Sequence, residues 1–184
     1  FAQQIPFNRE LLRRANAIPG VELAAITSNL PAADTINSDS AAYGATNHNS
    51  LTIEDRPTES SGDLSAEVIR ISPDYFRAMG MQLRRGREFT EQDQAGAGEV
   101  IVINETMAAK FWPGEDPIGK RVQIYDGPLP MPWREIVGVV NDLAFPGDLG
   151  EPYTRFEAFV PMTQAAPAYL TLVLRTSGNP DALG

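Results

Sequence analysis

The order of apolar and polar positions predicts a chain of short helices and strands. It opens with a helix from Phe7 to Ile18, where apolar residues recur at three- and four-residue spacing with arginines between them. Pro19-Gly20 ends this helix, and the apolar run from Val21 to Thr27 is typical of a strand. From Pro31 to Ser50 the composition changes to Ala, Asp, Ser, Asn and Thr, which predicts a long polar loop.

Residues 51 to 125 carry the most regular part of the pattern. Four segments in this part are predicted to be strands, at Leu51–Asp55, Glu67–Ile71, Glu99–Ile103 and Arg121–Tyr125, the last because its apolar and polar residues alternate. A second polar loop is expected at Pro57–Leu64. Thr90 and Asp93 have the spacing of a capping box with aspartate in place of glutamate, which predicts a brief helical turn.

Two short helices in the same part are marked by the residues at their ends. Ser72 is expected to cap a helix that runs from Pro73 to Met79, because proline is favoured at the first helical position, and Gly80 ends it. Asn104 is expected to cap a second helix, from Glu105 to Trp112.

The last third of the chain adds three more strands, at Trp133–Val140, Arg155–Val160 and Tyr169–Arg175. In the third of them Leu170, Leu172 and Leu174 alternate with Thr171, Val173 and Arg175, so the leucines share one face. Asn179-Pro180-Asp181 resembles the start of another helix. The fold class indicated is α/β, of the α+β kind with mixed sheets.

Composition narrows the class of protein. The chain has 184 residues, 42% hydrophobic and 21% charged, which suits one folded domain or two small ones. The net charge of −9 argues against nucleic acid and anionic lipid head groups as main partners, because both attract Lys and Arg. There is no cysteine, and no apolar run approaches the ~18 residues of a membrane span. Because the chain begins with Phe1 and lacks a signal-peptide pattern, we expect a piece of a longer protein.

One segment comes close to a phosphate-binding loop. Gly114-Glu115-Asp116-Pro117-Ile118-Gly119-Lys120 fits the motif, but Arg121 follows where Ser or Thr is needed to hold magnesium. A helix precedes the segment and a strand follows it, the reverse of the required order. Glu115 and Asp116 would repel phosphate, and Pro117 lacks a backbone N–H. A tight turn between helix and strand is the better interpretation.

No residue stands out as catalytic, cofactor-binding or metal-binding. His48 is the only histidine and is interpreted as a solvated loop residue, and the Gly-x-Ser-x-Gly and His-Glu-x-x-His motifs do not occur. Carboxylates are expected mostly in solvated turns and caps, as at Asp74, Glu91, Asp93, Glu105, Asp126 and Asp148. Asn104-Glu105-Thr106 matches a glycosylation sequon, but capping is its expected role. Core packing is expected for most of the aromatic residues Tyr75, Phe76, Phe89, Phe111, Trp112 and Trp133.

Several blocks over about 70 residues resemble the MacB-like periplasmic core domain of ABC-transporter permeases. They are Ile71-Ser72-Pro73-Asp74-Tyr75-Phe76, Met79-Gly80, Arg85-Gly86-Arg87-Glu88-Phe89, Val102-Ile103-Asn104-Glu105, the stretch from Phe111 to Lys120, and Glu135-Ile136-Val137-Gly138-Val139-Val140. The amino-acid sequence from Phe111 to Lys120 is most similar to the matching segment of the large permeases in which the permease module is duplicated and no ATPase is fused.

The resemblance implies a two-part domain between the first and second membrane helices of a permease half. A discontinuous Porter-like subdomain would comprise residues 1–68 and 153–184, and an inserted Sabre-like subdomain residues 69–152. Implied partners are the transmembrane helices of the same permease chain, a separate ATP-binding subunit acting from the cytoplasm, and a periplasmic adaptor or substrate protein. The implied place is the periplasmic side of the bacterial inner membrane. No catalytic residue is carried over, since the family's domain has none.

Three functions remain open from the sequence. The first is a permease domain that relays ATP-driven movement of the membrane helices to a substrate or partner. The second is a binding module for a lipoprotein, a peptide or a small molecule, and the third is a free-standing hydrolase. Two flanking hydrophobic spans in the parent gene would favour the first two over the third. The loop Pro31–Ser50 is the predicted contact region, because it is long and polar.

Overall fold

The computed structural model describes residues 4–28, 48–54, 56, 65–126, 129–143, 156–165 and 170–178. The helices in these ranges are α1 (Gln4–Asn16), α2 (Tyr75–Met79) and α3 (Glu105–Phe111). The strands are β1 (Val21–Thr27), β2 (His48–Ile53), β3 (Ser65–Ile71), β4 (Leu83–Gly86), β5 (Val100–Asn104), β6 (Arg121–Asp126), β7 (Leu129–Val140), β8 (Glu157–Pro161) and β9 (Thr171–Thr176). Parallel and antiparallel pairs occur together, which confirms the predicted α/β class with mixed strand directions.

Six of the strands form a closed circuit, called the barrel below. β2 pairs with β6, β6 with β7, β7 with β5, β5 with β8, β8 with β3, and β3 returns to β2. Closure removes the free edges that an open sheet would expose. All six strands contribute apolar side chains to one buried cluster, the barrel interior, and α3 adds Met107 and Phe111 to it.

A second core lies on the outer surface of the barrel wall. Side chains from β3, β5, β7 and β8 point outward there, and α2 covers them with Tyr75 and Phe76. The Phe76 ring meets Phe159 edge to face, with ring centroids 5.1 Å apart. Because β5 is covered on both faces, all five of its residues are buried. This explains why β5 reads as a continuous apolar run in the sequence.

The remaining long elements form an arm made of α1, β1 and β9. β1 pairs with β9 along six residue pairs but meets β3 in register only at Thr27 and Ile71. Ala25 packs in the second core on one face of β1. Ala24 and Ile26 point to the other face, which α1 covers. The arm is therefore covered by α1 on one side and by α2 on the other.

The structure corrects several predicted bounds. α1 runs from Gln4 to Asn16 instead of Phe7 to Ile18. The polar loop predicted from Pro31 to Ser50 is wrong at its end, because residues 48–50 open β2 and pair with β3. The rest of that loop lies outside the described residues, as do the loop Pro57–Leu64 and the helix start at Asn179.

Two strands show why pattern reading falls short. β7 begins four residues earlier than predicted, since its first part pairs only with β6 and contains prolines that disguise the strand. β4 was not predicted, because all four of its residues are exposed and no alternation marks them. The bounds of β1 match the prediction, and those of β3, β5, β6, β8, β9 and α3 agree within two residues. The division into residues 1–68 with 153–184 and 69–152 stays a prediction.

Candidate functional site

The arm joins the barrel through two serines, of which Ser72 is buried and Ser28 is half-buried. The Ser72 N–H donates to the Ile26 carbonyl at 2.9 Å, and the Ser72 hydroxyl accepts from the Ile26 N–H at 2.9 Å. Ser28 repeats the arrangement with Arg70, at 2.8 Å to its carbonyl and 2.9 Å from its N–H. We call this set of four hydrogen bonds the serine clip. It continues the β1–β3 pairing beyond its one registered residue pair.

The serine clip corrects the predicted role of Ser72. Ser72 was expected to cap the helix from Pro73 to Met79, but its hydroxyl is used by the N–H of Ile26. The helix starts later, at Tyr75, and Asp74 precedes it without a side-chain capping bond. A buried backbone N–H costs about 1–3 kcal/mol when it lacks an acceptor. A hydrogen bond to the buried Ile26 N–H therefore stabilises the fold more than a cap on the five-residue helix α2 would.

Tyr75 forms a polar centre beside the serine clip. Its side chain shares a hydrogen bond with Thr27 of β1, and both residues are buried. Glu67 and Glu157 are register partners in the parallel β3–β8 pair and lie on the same side of the sheet as the Tyr75 ring. Burial, and to a lesser extent these two carboxylates, raises the pKa of Tyr75 well above its usual value. The phenol therefore stays protonated and serves as a hydrogen-bonding group between α2 and β1.

A buried arginine seals the barrel at the end where β5 begins. Arg134 Nη1 lies 2.7 Å from Glu99 Oε2 and 2.9 Å from Gln164 Oε1. Gln164 in turn binds the Val100 N–H at 3.1 Å and the Gly98 carbonyl at 2.8 Å. Burial lowers the pKa of Arg134, and the Glu99 carboxylate opposes that shift. Sequence reasoning missed this group because nothing in the pattern shows that Arg134 points inward.

The predicted turn at Thr90 to Asp93 is present and is held by an ion pair. Asp93 accepts the Thr90 N–H at 2.7 Å, as a capping box requires, and Arg87 binds both carboxylate oxygens at 2.8 and 2.9 Å. Burial alone would raise the pKa of Asp93, but the hydrogen bonds from Arg87 and Thr90 bring it below its usual value. Asp93 is buried, so the interpretation as a solvated turn residue is wrong for it.

Asn104 caps α3 as predicted. Its side-chain oxygen accepts the Met107 N–H at 3.1 Å and also the Glu157 N–H of β8 at 3.2 Å. Among the other carboxylates, Asp74 and Glu105 lie at helix starts and Glu91 lies in a turn. Asp126 ends a strand instead of forming a turn, and Asp148 lies outside the described residues.

The segment that resembles a phosphate loop is a tight turn, as predicted. Its backbone N–H groups have partners within the protein: the Ile118 N–H donates to the Asp116 carboxylate at 3.1 Å, and the Gly119 N–H donates to the Ile136 carbonyl of β7 at 2.9 Å. Lys120 lies 3.6 Å from the Glu115 carboxylate. Gly119 has a positive φ of 82°, which the turn requires.

The structure also tests the predictions made for His48, for a metal site and for the aromatic residues. His48 is the first residue of β2, so its interpretation as a loop residue is wrong. In the part of the chain that the structure describes, no cluster of three or more His, Cys, Asp or Glu side chains could hold a metal ion. Core packing is confirmed for Tyr75, Phe76, Phe89, Phe111 and Trp112. Trp133 is half-buried and stacks with Arg121, whose guanidinium carbon lies 5.8 Å from the ring centroid.

Solved structures share this fold. The periplasmic region of MacB from Actinobacillus actinomycetemcomitans matches 95% of this chain and 68% of its own, with a TM-score of 0.60 and 15% identity. The extracellular domain of the noncanonic ABC-type transporter YknZ from Gram-positive bacteria matches 97% of this chain and 78% of its own, with a TM-score of 0.59 and 19% identity. The fold class is thus that of extracytoplasmic domains of ABC transporters.

Sequence comparison identifies the family. Residues 3–183 match the MacB-like periplasmic core domain, and the chain belongs to that family. A macrolide export ATP-binding/permease protein MacB from Aggregatibacter actinomycetemcomitans is 32% identical over 96 residues, 49% of this chain and 14% of its own. The probable syringafactin export ATP-binding/permease protein SyfD of Pseudomonas syringae pv. tomato is 31% identical over 81 residues, 44% of this chain and 11% of its own. The chain spans about one seventh of these relatives or less. None of its described helices is long and apolar enough to cross a membrane.

Proposed function

We propose that the domain is a non-catalytic relay on the periplasmic side of an ABC-transporter permease. Membrane helices of the same chain move when a cytoplasmic ATP-binding subunit binds and hydrolyses ATP, and the domain passes that movement to a substrate or to a periplasmic adaptor. Family membership supports the transporter setting. The relay role is supported by the way in which the arm is joined to the barrel.

The single observation that carries the proposal is the hydrogen-bonded junction between arm and barrel. A relay must move as one body, because a soft joint would absorb the displacement that it receives. The serine clip fixes both strands through four hydrogen bonds, and Tyr75 links α2 to β1 next to it. Net contributions of about 1 kcal/mol for each hydrogen bond make such a joint costly to open.

Labelling of a single cysteine tests whether the domain lies on the periplasmic side of the inner membrane. Because the chain has no cysteine, Lys110→Cys on the exposed side of α3 gives a single reactive thiol in this domain. In cells that express the full-length permease with its other cysteines removed, a membrane-impermeant maleimide should label Lys110→Cys from the periplasmic side, and the labelled protein should sediment with the inner membrane. Labelling only after the inner membrane is opened, or recovery in the soluble fraction, would reject the proposed location.

A further inference from the structure

Two strands, β4 and β9, have a single neighbour among the described strands. An open strand edge presents unpaired backbone N–H and C=O groups, and proteins usually guard it with charges, a bulge or a short length. β4 is guarded in all three ways, since it has four residues, two adjacent arginines and a bulge between Leu83 and Arg85. β9 has six residues without lysine or proline, and the bulge in its pairing lies in β1. β9 therefore offers an edge to which another strand can add.

The hydrogen bonds of β1 show which of its residues face β9. The Ala24 N–H donates to Asn16 Oδ1 at 2.8 Å. The Ile26 N–H donates to the Ser72 hydroxyl at 2.9 Å. Both residues therefore direct their backbone groups away from β9. Because this direction alternates along a strand, Ala25, which lies between them, directs its N–H and C=O toward β9.

The same alternation defines the open edge of β9. Val173 is the register partner of Ala25, so its backbone groups are used by β1. The Ser177 N–H, four residues further on, donates to the carbonyl of the residue that precedes β1 at 3.2 Å and so keeps the same phase. Leu172 and Leu174 therefore direct their N–H and C=O groups away from β1. These groups have the spacing that a further strand requires.

The side chains along this edge differ between the two faces of the sheet. Leu172 and Leu174 lie on the face that α1 covers, and Leu172 is 38% exposed. Arg175 lies on the opposite face, where its Nη1 donates to the Arg77 carbonyl at 3.1 Å and its Nε lies 3.5 Å from the Glu22 carboxylate. Within the described ranges, Nη2 of Arg175 has no partner. The edge thus combines leucines on one face with a guanidinium nitrogen that is available to an acid on the other.

We propose that the β9 edge binds an extended segment of a partner protein as an added strand, with apolar side chains beside Leu172 and Leu174 and an acidic side chain beside Arg175. In this mode backbone hydrogen bonds give affinity and alternate side chains give specificity. A second copy of β9 fits less well, because β9 holds no acidic residue and each copy carries a net charge of −9. The inference rests on the proposed function, since it names the surface through which the relay meets its partner.

Binding of a defined peptide tests the proposal. The probe is a fluorescein-labelled peptide, Ser-Leu-Glu-Leu-Thr-Leu-Ser, added to the full-length permease in nanodiscs. Leu172→Pro removes an outward N–H where an edge strand tolerates proline, whereas the matched control Leu172→Thr keeps that N–H. Fluorescence anisotropy should show binding about tenfold weaker for Leu172→Pro than for Leu172→Thr, because one peptide carbonyl loses its donor. Arg175→Gln should weaken binding about threefold, as expected for an exposed ion pair.

Hydrogen exchange locates the added strand without any substitution. With saturating peptide, the amides of Leu172 and Leu174 should exchange about tenfold more slowly or slower still, because each gains a hydrogen bond. The amide of Val173 is already bonded to β1, so its exchange should change little. Residue-level mass spectrometry of the same nanodisc sample measures all three amides.

Three outcomes would overturn the proposal. Equal affinity of Leu172→Pro and Leu172→Thr, or no binding by the wild-type permease, would show that the β9 edge is not the site. Unchanged exchange at Leu172 and Leu174 would show the same. Cross-linking of Leu172→Cys between two copies, without peptide binding, would show that a second copy covers the edge instead. All of these results leave the relay intact, because the relay is judged by its ATP-driven displacement and by the labelling of Lys110→Cys.

Discussion

Replacing Arg134 by alanine is expected to lower the free energy of unfolding by about 3–5 kcal/mol, the usual cost of breaking a buried ion pair. Arg134 is 1% exposed and holds Glu99, Gln164 and the Val100 carbonyl at the barrel end. Alanine would leave the Glu99 carboxylate without its ion-pair partner and open a cavity among apolar side chains. Urea unfolding followed by circular dichroism measures the change.

A double variant separates the charge effect from the packing effect. Arg134→Met with Glu99→Gln keeps the volume and removes both charges, so it should be clearly more stable than Arg134→Ala. Arg121→Ala is the exposed control, since Arg121 pairs with Glu54 at the surface, and it should cost less than about 1 kcal/mol. If the double variant were as unstable as Arg134→Ala, loss of the buried charge pair could not be the cause.

Replacing Gly86 by alanine is expected to cost about 3 kcal/mol or more, from overpacking and a strained backbone together. A Cβ on Gly86 would lie 2.1 Å from the Val137 carbonyl oxygen, and φ there is +72°. Its register partner Gly138 is equally confined, with a Cβ position 2.3 Å from the Arg87 carbonyl oxygen. β4 can pair with β7 only because both positions lack a side chain.

Two other glycines provide controls for that loss of stability, measured by thermal unfolding. Gly98→Ala meets no atom within 4 Å and has no positive φ, so it should be nearly neutral. Gly96→Ala is equally open but has a φ of +90°, so it isolates the backbone term of about 1–3 kcal/mol. A Gly86→Ala protein as stable as Gly96→Ala would show that β4 does not approach β7 as closely as described.

The sequence predicted elements well where one local signal dominates. β1, β5 and α3 follow from apolar runs and from the Asn104 cap, whose hydrogen bond to Met107 is present. β4 was missed because its stability comes from pairing with β7 and from close approach at Gly86, neither of which leaves a local pattern. Barrel closure also depends on contacts between distant segments, such as Ser50 with Tyr125.

The polar groups at the junction were the hardest to predict. Ser72 looks like a helix cap, because capping is what serine does before a proline. Only the fold shows that Ile26 lies beside it and needs an acceptor. Glu67 and Arg134 gave no signal for the same reason, since a charged residue in a strand is expected to face water until its neighbours are known.

The claim that the domain relays motion as one body is tested most directly by two distances in the working transporter. The first distance, between spin labels at Arg13→Cys on α1 and Lys110→Cys on α3, measures the position of the arm relative to the barrel. The second distance, between Lys110→Cys and a label on a second extracytoplasmic domain, measures the displacement of the domain as a whole. Double electron–electron resonance with and without ATP should show the first distance unchanged and the second shifted. A first distance that changes with ATP, or a second that does not, would contradict the relay.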